Sequence, residues 1–194
     1  MPAAALHRLN IIQAAAKLFR QQGYSRTGLN DILAASQAPK GSLYHYFPKG
    51  KEQLGEESLR FSAQRAAQTL QALRAEHPTA PGLLLAYAGK LADWMQRSGY
   101  RDGCPMATTI LETVPQSETL TAAAEEGFST WSGVFEEALL ADGAKPDDAR
   151  RLARLTIAVL EGSLIQARVE QSGQPIIDSA QEVAALMASR LQNH

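Results

Sequence analysis

Apolar residues recur at helical spacing along almost the whole chain, and nowhere in the strict alternation of a half-buried strand. Leu9, Ile12, Ala16 and Phe19 share one helical face, and Gly23 stands where a left-handed C-terminal cap belongs, predicting a first helix over residues 5–22. Thr27 is the expected N-cap of a second helix that turns Leu29, Ile32 and Leu33 inward, with Ala34 and Ala35 permitting close approach. Ser36-Gln37-Ala38 reads as a turn, and a third helix of barely two turns follows at 39–46. Pro39 suits the first position of that helix, where its missing N–H would be unpaired anyway. Leu43, Tyr46 and Phe47 form an i, i+3, i+4 set that can anchor so short an element, leaving Lys40, Ser42, Tyr44 and His45 on an open side. Pro48 and Gly50 end it, with Lys49 and Lys51 just beyond.

The remaining pattern predicts longer helices. One runs from Glu52 to about Glu76 with Leu54, Phe61, Leu70 and Leu73 apolar, and breaks at His77-Pro78-Thr79-Ala80-Pro81-Gly82. The next carries Leu84, Tyr87, Leu91, Trp94 and Met95 to about Ser98, and Tyr100 to Pro105 is a turn by composition. A short helix from Met106 to about Val114 is stopped by Pro115, and another from about Ser117 to Ala141 shows Leu120, Ala124, Phe128, Trp131, Phe135 and Leu139. An eighth, 146–171, is apolar on two faces, Leu152, Leu155 and Val159 on one and Ile157, Leu160 and Leu164 on the other. A ninth, 176–192, offers Ile177, Ala180, Val183, Ala184, Met187 and Leu191. The expected fold is all-α, with about nine helices and no solenoid repeat.

The charge distribution sharpens this picture. Residues 1–51 hold seven basic side chains (Arg8, Lys17, Arg20, Arg26, Lys40, Lys49, Lys51) against Asp31 alone, a net of +6. The other 143 residues hold 12 basic and 19 acidic groups, a net of −7, which cancels the asymmetry in the chain total of −1. A basic end on an acidic body suggests a polyanion-binding module joined to a part with another task. A short helix bearing lysines and hydroxyls matches what a major groove accepts, donors for base edges and charges for phosphates. Residues 1–51 are therefore the expected helix-turn-helix DNA-binding domain, and 52–194 a body with another task.

The first fifty-odd residues resemble the N-terminal domain of TetR-family transcriptional repressors. Ile12, Ala15, Leu18, Phe19, Gly23, Tyr24, Thr27, Ile32, Gly41, Ser42, Leu43, Tyr44, Tyr46, Phe47, Lys51 and Leu54 fall in that family's order and spacing. There are departures: Gln37 replaces the usual turn glycine, Ala38-Pro39 an apolar residue and serine, Gly28 a Ser or Thr, and Gly50 is an extra residue. The Pro39 variant with its PKGK segment resembles a drug- or aromatic-responsive branch. The resemblance implies that Thr27, Tyr44 and Lys51 contact phosphates. It sets Lys40, Gly41, Ser42 and His45 nearest the groove, with Gln37, Pro39 and Lys49 at the ends of the reading helix. Lys40 is either a reader of a guanine edge or a phosphate contact. Gly41 permits close backbone approach.

One reading helix cannot specify a long site, so the resemblance implies a homodimer on a palindromic double-stranded operator, paired through helices eight and nine as a four-helix bundle. It also implies a small-molecule effector, which makes 52–194 the expected ligand-binding and dimerisation domain. Tyr87, Leu91, Trp94, Met95, Met106, Ile110, Phe128, Trp131 and Phe135 are the candidate lining for an apolar or aromatic ligand, or simply core. Cys104, before a helix in Gly103-Cys104-Pro105, is either a reactive thiol near Arg101 and Arg168 or a small buried hydrophobe. Arg168 and Glu161 are the ionisable groups of helix eight expected to be semi-buried, and Arg168 joins the candidate ligand residues.

Other classes have little support. Gly127-Phe128-Ser129-Thr130-Trp131 fails the nucleophile-elbow pattern at its last residue, and no phosphate-binding glycine loop or HExxH occurs. Histidines 7, 45, 77 and 194 are scattered, so neither metal nor cofactor is expected. No apolar run reaches the ~18 residues a bilayer span requires, the start lacks a secretory pattern and one cysteine fits a reducing compartment, so the expected location is cytoplasmic. The expected function is a homodimeric repressor released by its effector. The alternatives are an activator of the same fold, or a helical ligand-binding or protein-interaction module without sequence-specific DNA binding.

Overall fold

The structure, a computed structural model, describes residues 3–39 and 41–192, and among them finds nine α-helices and no strand. They are α1 Ala3–Gln22, α2 Leu29–Ser36, α3 Ser42–Tyr46, α4 Gly50–Glu76, α5 Ala80–Arg97, α6 Ala107–Thr113, α7 Glu118–Ala141, α8 Pro146–Glu170 and α9 Gln174–Gln192. Helix ends fall where local chemistry sets them. Gly23 takes φ +89° after α1, and its N–H returns to the Phe19 carbonyl at 3.0 Å. Thr79 caps α5 by accepting from the Gly82 amide at 3.3 Å, while the Asp142 carboxylate accepts from the Ala80 amide at 2.7 Å. Pro146 opens α8, and α6 stops at Thr113, one residue short of the cis Val114–Pro115 bond.

Three local expectations need correction. Thr27 is not the N-cap of α2; Gly28 holds that position, and the Asp31 carboxylate accepts from the Gly28 amide at 3.1 Å. The third helix is shorter than 39–46: Gly41 is its N-cap, so Pro39 precedes the helix instead of opening it. Gln37 ends α2 in the left-handed region at φ 54°, doing the work of the glycine it replaces.

The chain packs as two compact units, Met1–Gln64 with Cys104–Gly127, and Arg65–Gly103 with Phe128–His194. In the first, α1 packs on α2, α3 and α6 around Ile11, Ile12, Ala15, Phe19, Ile32, Leu43, Phe47 and Leu54. In the second, α9 packs on α5 and α8, and α5 on α8, over a core that includes Leu83, Leu84, Met95, Phe135, Ala153, Ile176 and Met187. These units cut the chain elsewhere than the expected functional division at 51/52. The reason is that α4 runs unbroken through that point, and α6 packs back on α1.

Candidate nucleic-acid interface

Five residues are too few for a free-standing helix, so α3 owes its existence to packing. Leu43 and Phe47 are buried to 1% and 0% exposure, and the Phe47 amide donates to the Leu43 carbonyl at 2.7 Å. The Arg8 guanidinium lies 5.4 Å from the Phe47 ring centroid and forms an ion pair with Glu57. Glu57 also accepts from Gln53 at 3.1 Å, and Gln53 accepts from the Lys49 amide at 3.2 Å. Side chains of α1 and α4 thus fasten the far end of α3. With Leu43 and Phe47 turned inward, the opposite side must face out. Tyr44 is 67% exposed, His45 is exposed with its ring edge-on to Tyr46 at 5.0 Å, and a Cβ on Gly41 would meet nothing within 4 Å.

The other candidate DNA residues divide. Gln37, Pro39 and Lys49 are exposed, and Lys40 lies outside the described residues. Ser42 is half-buried, and its hydroxyl donates to the Pro39 carbonyl at 2.6 Å, so it stabilises the helix start instead of standing free. Thr27 is wholly buried: its hydroxyl donates to the Gly23 carbonyl at 2.7 Å and accepts from Gln22 at 3.2 Å. The Thr27 hydroxyl is thus spent on closing the α1–α2 turn.

Lys51 is half-buried, with Nζ 4.6 Å from the Tyr24 ring centroid and 3.3 Å from the Ser25 carbonyl, to which it donates. Burial pushes its pKa down, and the nearby Glu112 charge partly offsets that. Glu112, on α6, is a residue that sequence reasoning missed. Its carboxylate accepts from the Tyr24 amide at 3.1 Å and the Ser25 amide at 2.7 Å. Burial pushes its carboxyl up, but the Ser25 hydroxyl and amide, the Tyr24 amide and the Lys51 charge outweigh this and hold it below the usual range. Only the glycine at 23, where a Cβ would sit 2.3 Å from Glu112 Oε1, hints at so close a neighbour.

A short outward helix propped on two others, at the basic end of an all-α chain, is the geometry of a helix-turn-helix reader. Comparison with known proteins decides the family. Residues 11–57 match the tetR family of bacterial regulatory proteins, and residues 82–182 match the C-terminal domain of LmrA/YxaF-like transcriptional regulators. The chain belongs to the TetR family of transcriptional regulators. It is 33% identical to the transcriptional regulator LmrA of Bacillus subtilis over 88% of this chain and 90% of that protein. It is 30% identical to YxaF of the same organism over 94% and 96%. Among solved structures, a TetR regulatory protein from Rhodobacter sphaeroides superposes with a TM-score of 0.81 at 25% identity, covering 93% of this chain and 98% of that one. TetR regulators are not enzymes.

In this regulator the candidate effector residues fall in both units. Tyr87, Leu91, Trp94, Met95, Phe128, Trp131, Phe135 and Arg168 belong to the second unit, while Cys104, Met106 and Ile110 belong to the first. Tyr87, Leu91, Met95, Trp131 and Phe135 are buried, and the Phe128 and Trp131 rings meet edge to face at 5.6 Å. Trp94 is 41% exposed, because the buried positions of α5 (Leu84, Tyr87, Leu91, Met95) turn it away from the core. Arg168 is likewise exposed, on the side of α8 that carries Ile165 and Val169, so neither lines an interior site. Glu161 is half-buried, as expected.

Cys104 is buried, and its Sγ accepts from the Met106 amide at 3.4 Å and the Ala107 amide at 3.5 Å. A groove of about 380 Å³ in the second unit is lined by Arg65, Gln68, Thr69, Ala72, Leu73 and Glu76 of α4 and Lys90 of α5, and by none of the candidate effector residues. Among the described residues no group of His, Cys, Asp and Glu could hold a metal ion, and no helix is long and apolar enough to cross a membrane.

The faces of α8 are also divided differently from expectation. Leu152, Leu160 and Leu164 are buried, whereas Leu155, Ile165 and Val169 are 40%, 61% and 79% exposed. With Ala158 and Gly162, the exposed three form a strip at spacings of three and four residues. Leu186 of α9 is 37% exposed.

Proposed function

We propose that this regulator is a homodimeric repressor that binds a palindromic operator and is released by a small apolar or aromatic effector, as in a drug- or aromatic-responsive branch of its family. The observation that carries the DNA-binding half is the split of α3, with Leu43 and Phe47 buried while Tyr44 and His45 face out beside the exposed Lys49. In this reading residues 1–51 are the DNA-binding domain. Tyr44, Lys49 and Lys51 approach phosphates, while His45, with the open backbone at Gly41, faces the base edges. Dimerisation rests on the exposed apolar strip of α8 with Leu186 of α9. A strip of this kind is costly to leave in water and matches a copy of itself about a two-fold axis. Two modules set ~34–36 Å apart, or a multiple, then meet successive major grooves.

The effector side rests on the aromatic residues of α5 and α7, Tyr87, Phe128, Trp131 and Phe135. Tyr87, Trp131 and Phe135 are packed as core and Phe128 is half-buried against Trp131, so a ligand must open them and select a different arrangement. Helix α4, whose first part belongs to one unit and whose last part belongs to the other, is the element such a change would tilt. The chain operates in the cytoplasm, where its operator is. Selection of bound duplexes from a random DNA pool, followed by gel shifts across a salt series, tests the reading. A palindromic consensus and an affinity that falls steeply with salt support it; binding that ignores sequence, or no binding at all, removes it. Repeating the selection with flat aromatic compounds present tests release.

A further inference from the structure

Helix α6 begins 71 residues after α2 ends (107 − 36), yet its Glu112 reaches the turn that launches α2. Three features converge on that turn. The Tyr24 and Ser25 amides lie beyond the end of α1 and donate to Glu112 at 3.1 and 2.7 Å. Gly23 leaves room for it, since any side chain there would start 2.3 Å from Glu112 Oε1. Lys51, at the start of α4, donates to the Ser25 carbonyl at 3.3 Å and covers the Tyr24 ring, so it grips the same two residues from the other side. A carboxylate on two amides and an ammonium on the adjoining carbonyl and ring make one charge-assisted clamp. The turn so held leads into the Gly28 N-cap of α2, and α2 leads into α3 through the left-handed turn at Gln37.

We propose that Glu112 is a positioning residue for DNA binding: from α6 it holds the Gly23–Thr27 turn and, through that turn, Lys51 and the reading helix in the DNA-binding arrangement. The inference rests on the reading of α3 as the DNA-contacting element, and it adds a route by which a movement of α6 would reach the DNA surface. Glu112 itself touches no phosphate, so its loss changes affinity without changing the number of counterions released.

The test uses the full chain, a labelled duplex selected by the wild-type protein, and the variants Glu112→Ala, Glu112→Gln, Lys51→Ala and the double variant Glu112→Ala/Lys51→Ala. Glu112→Ala is expected to lower affinity about tenfold, the scale of one charge-assisted hydrogen bond, with the salt slope of wild type. Amide exchange at Tyr24 and Ser25 should speed up, and the double variant should lose less than the product of the two single losses. Glu112→Gln keeps the shape and one acceptor, so it should fold as wild type and fall between wild type and Glu112→Ala. Affinity equal to or above wild type in Glu112→Gln and Glu112→Ala would overturn the inference, as would multiplicative losses in the double variant. If the wild-type protein selects no duplex, the DNA-binding reading fails instead, and the exchange rates at Tyr24 and Ser25 still report whether the clamp exists.

Discussion

Two helices present a side to solvent that the interior does not claim, and the two sides differ in kind. On α3 the outward residues are Tyr44 and His45, ending in groups that hydrogen-bond, while the inward residues are among the most completely buried of the chain. On α8 the outward residues are Leu155, Ile165 and Val169, with Arg168 at the edge. Water tolerates the first side and pays nothing to keep it open; the second has no reason to remain uncovered. On the proposed reading, the contrast teaches how one chain would address two partners, a hydrated polyanion through polar groups on a rigid prop and a copy of itself through apolar area.

The sharpest way to break the comparison is to remove the prop. Phe47→Ala deletes a fully buried ring beneath α3 and should cost about 3–5 kcal/mol of stability, read by denaturant unfolding. DNA binding should vanish with it, because five residues cannot hold a helix unaided. The apolar side is tested by placing charge on it. Ile165→Glu with Val169→Glu should convert a dimer to a monomer in sedimentation, leave the helical circular dichroism intact and reduce operator affinity more than tenfold. A chain that sediments unchanged with both substitutions would remove α8 from the interface.

Smaller effects sharpen the polar side. Lys49→Ala should weaken binding to all sequences alike, by a few fold, and reduce the salt slope by about one. Glu112 gives a pH signature. Its carboxyl is held below the ordinary value when folded, so its stabilising contribution is fully present above the unfolded pKa of ~4.3 and is lost as pH falls through the lower folded value. The stability difference between wild type and Glu112→Gln should therefore shrink on acidification, and because the group is exposed the difference is small even at neutral pH. The smallest change expected is Gln37→Gly, which relieves a left-handed backbone but loosens the unfolded chain, for a net gain of no more than about 1 kcal/mol in thermal or denaturant unfolding.

The order of the nine helices, the reading module and the inward set of α3 were legible in the residues alone, because they depend on neighbours within one or two turns. Apolar spacing marks a helix face, proline and glycine mark its ends, and Leu43 with Phe47 had to point one way for α3 to exist. The tertiary structure decided whatever depends on partners distant in sequence. It buried Thr27 by giving its hydroxyl to the turn, and it turned Trp94 and Arg168 outward, since periodicity shows that a face is apolar but not which way the helix is rotated. Glu112 joined the turn 87 and 88 residues before it, where a carboxylate cancels two amides that no local pattern could have assigned to it.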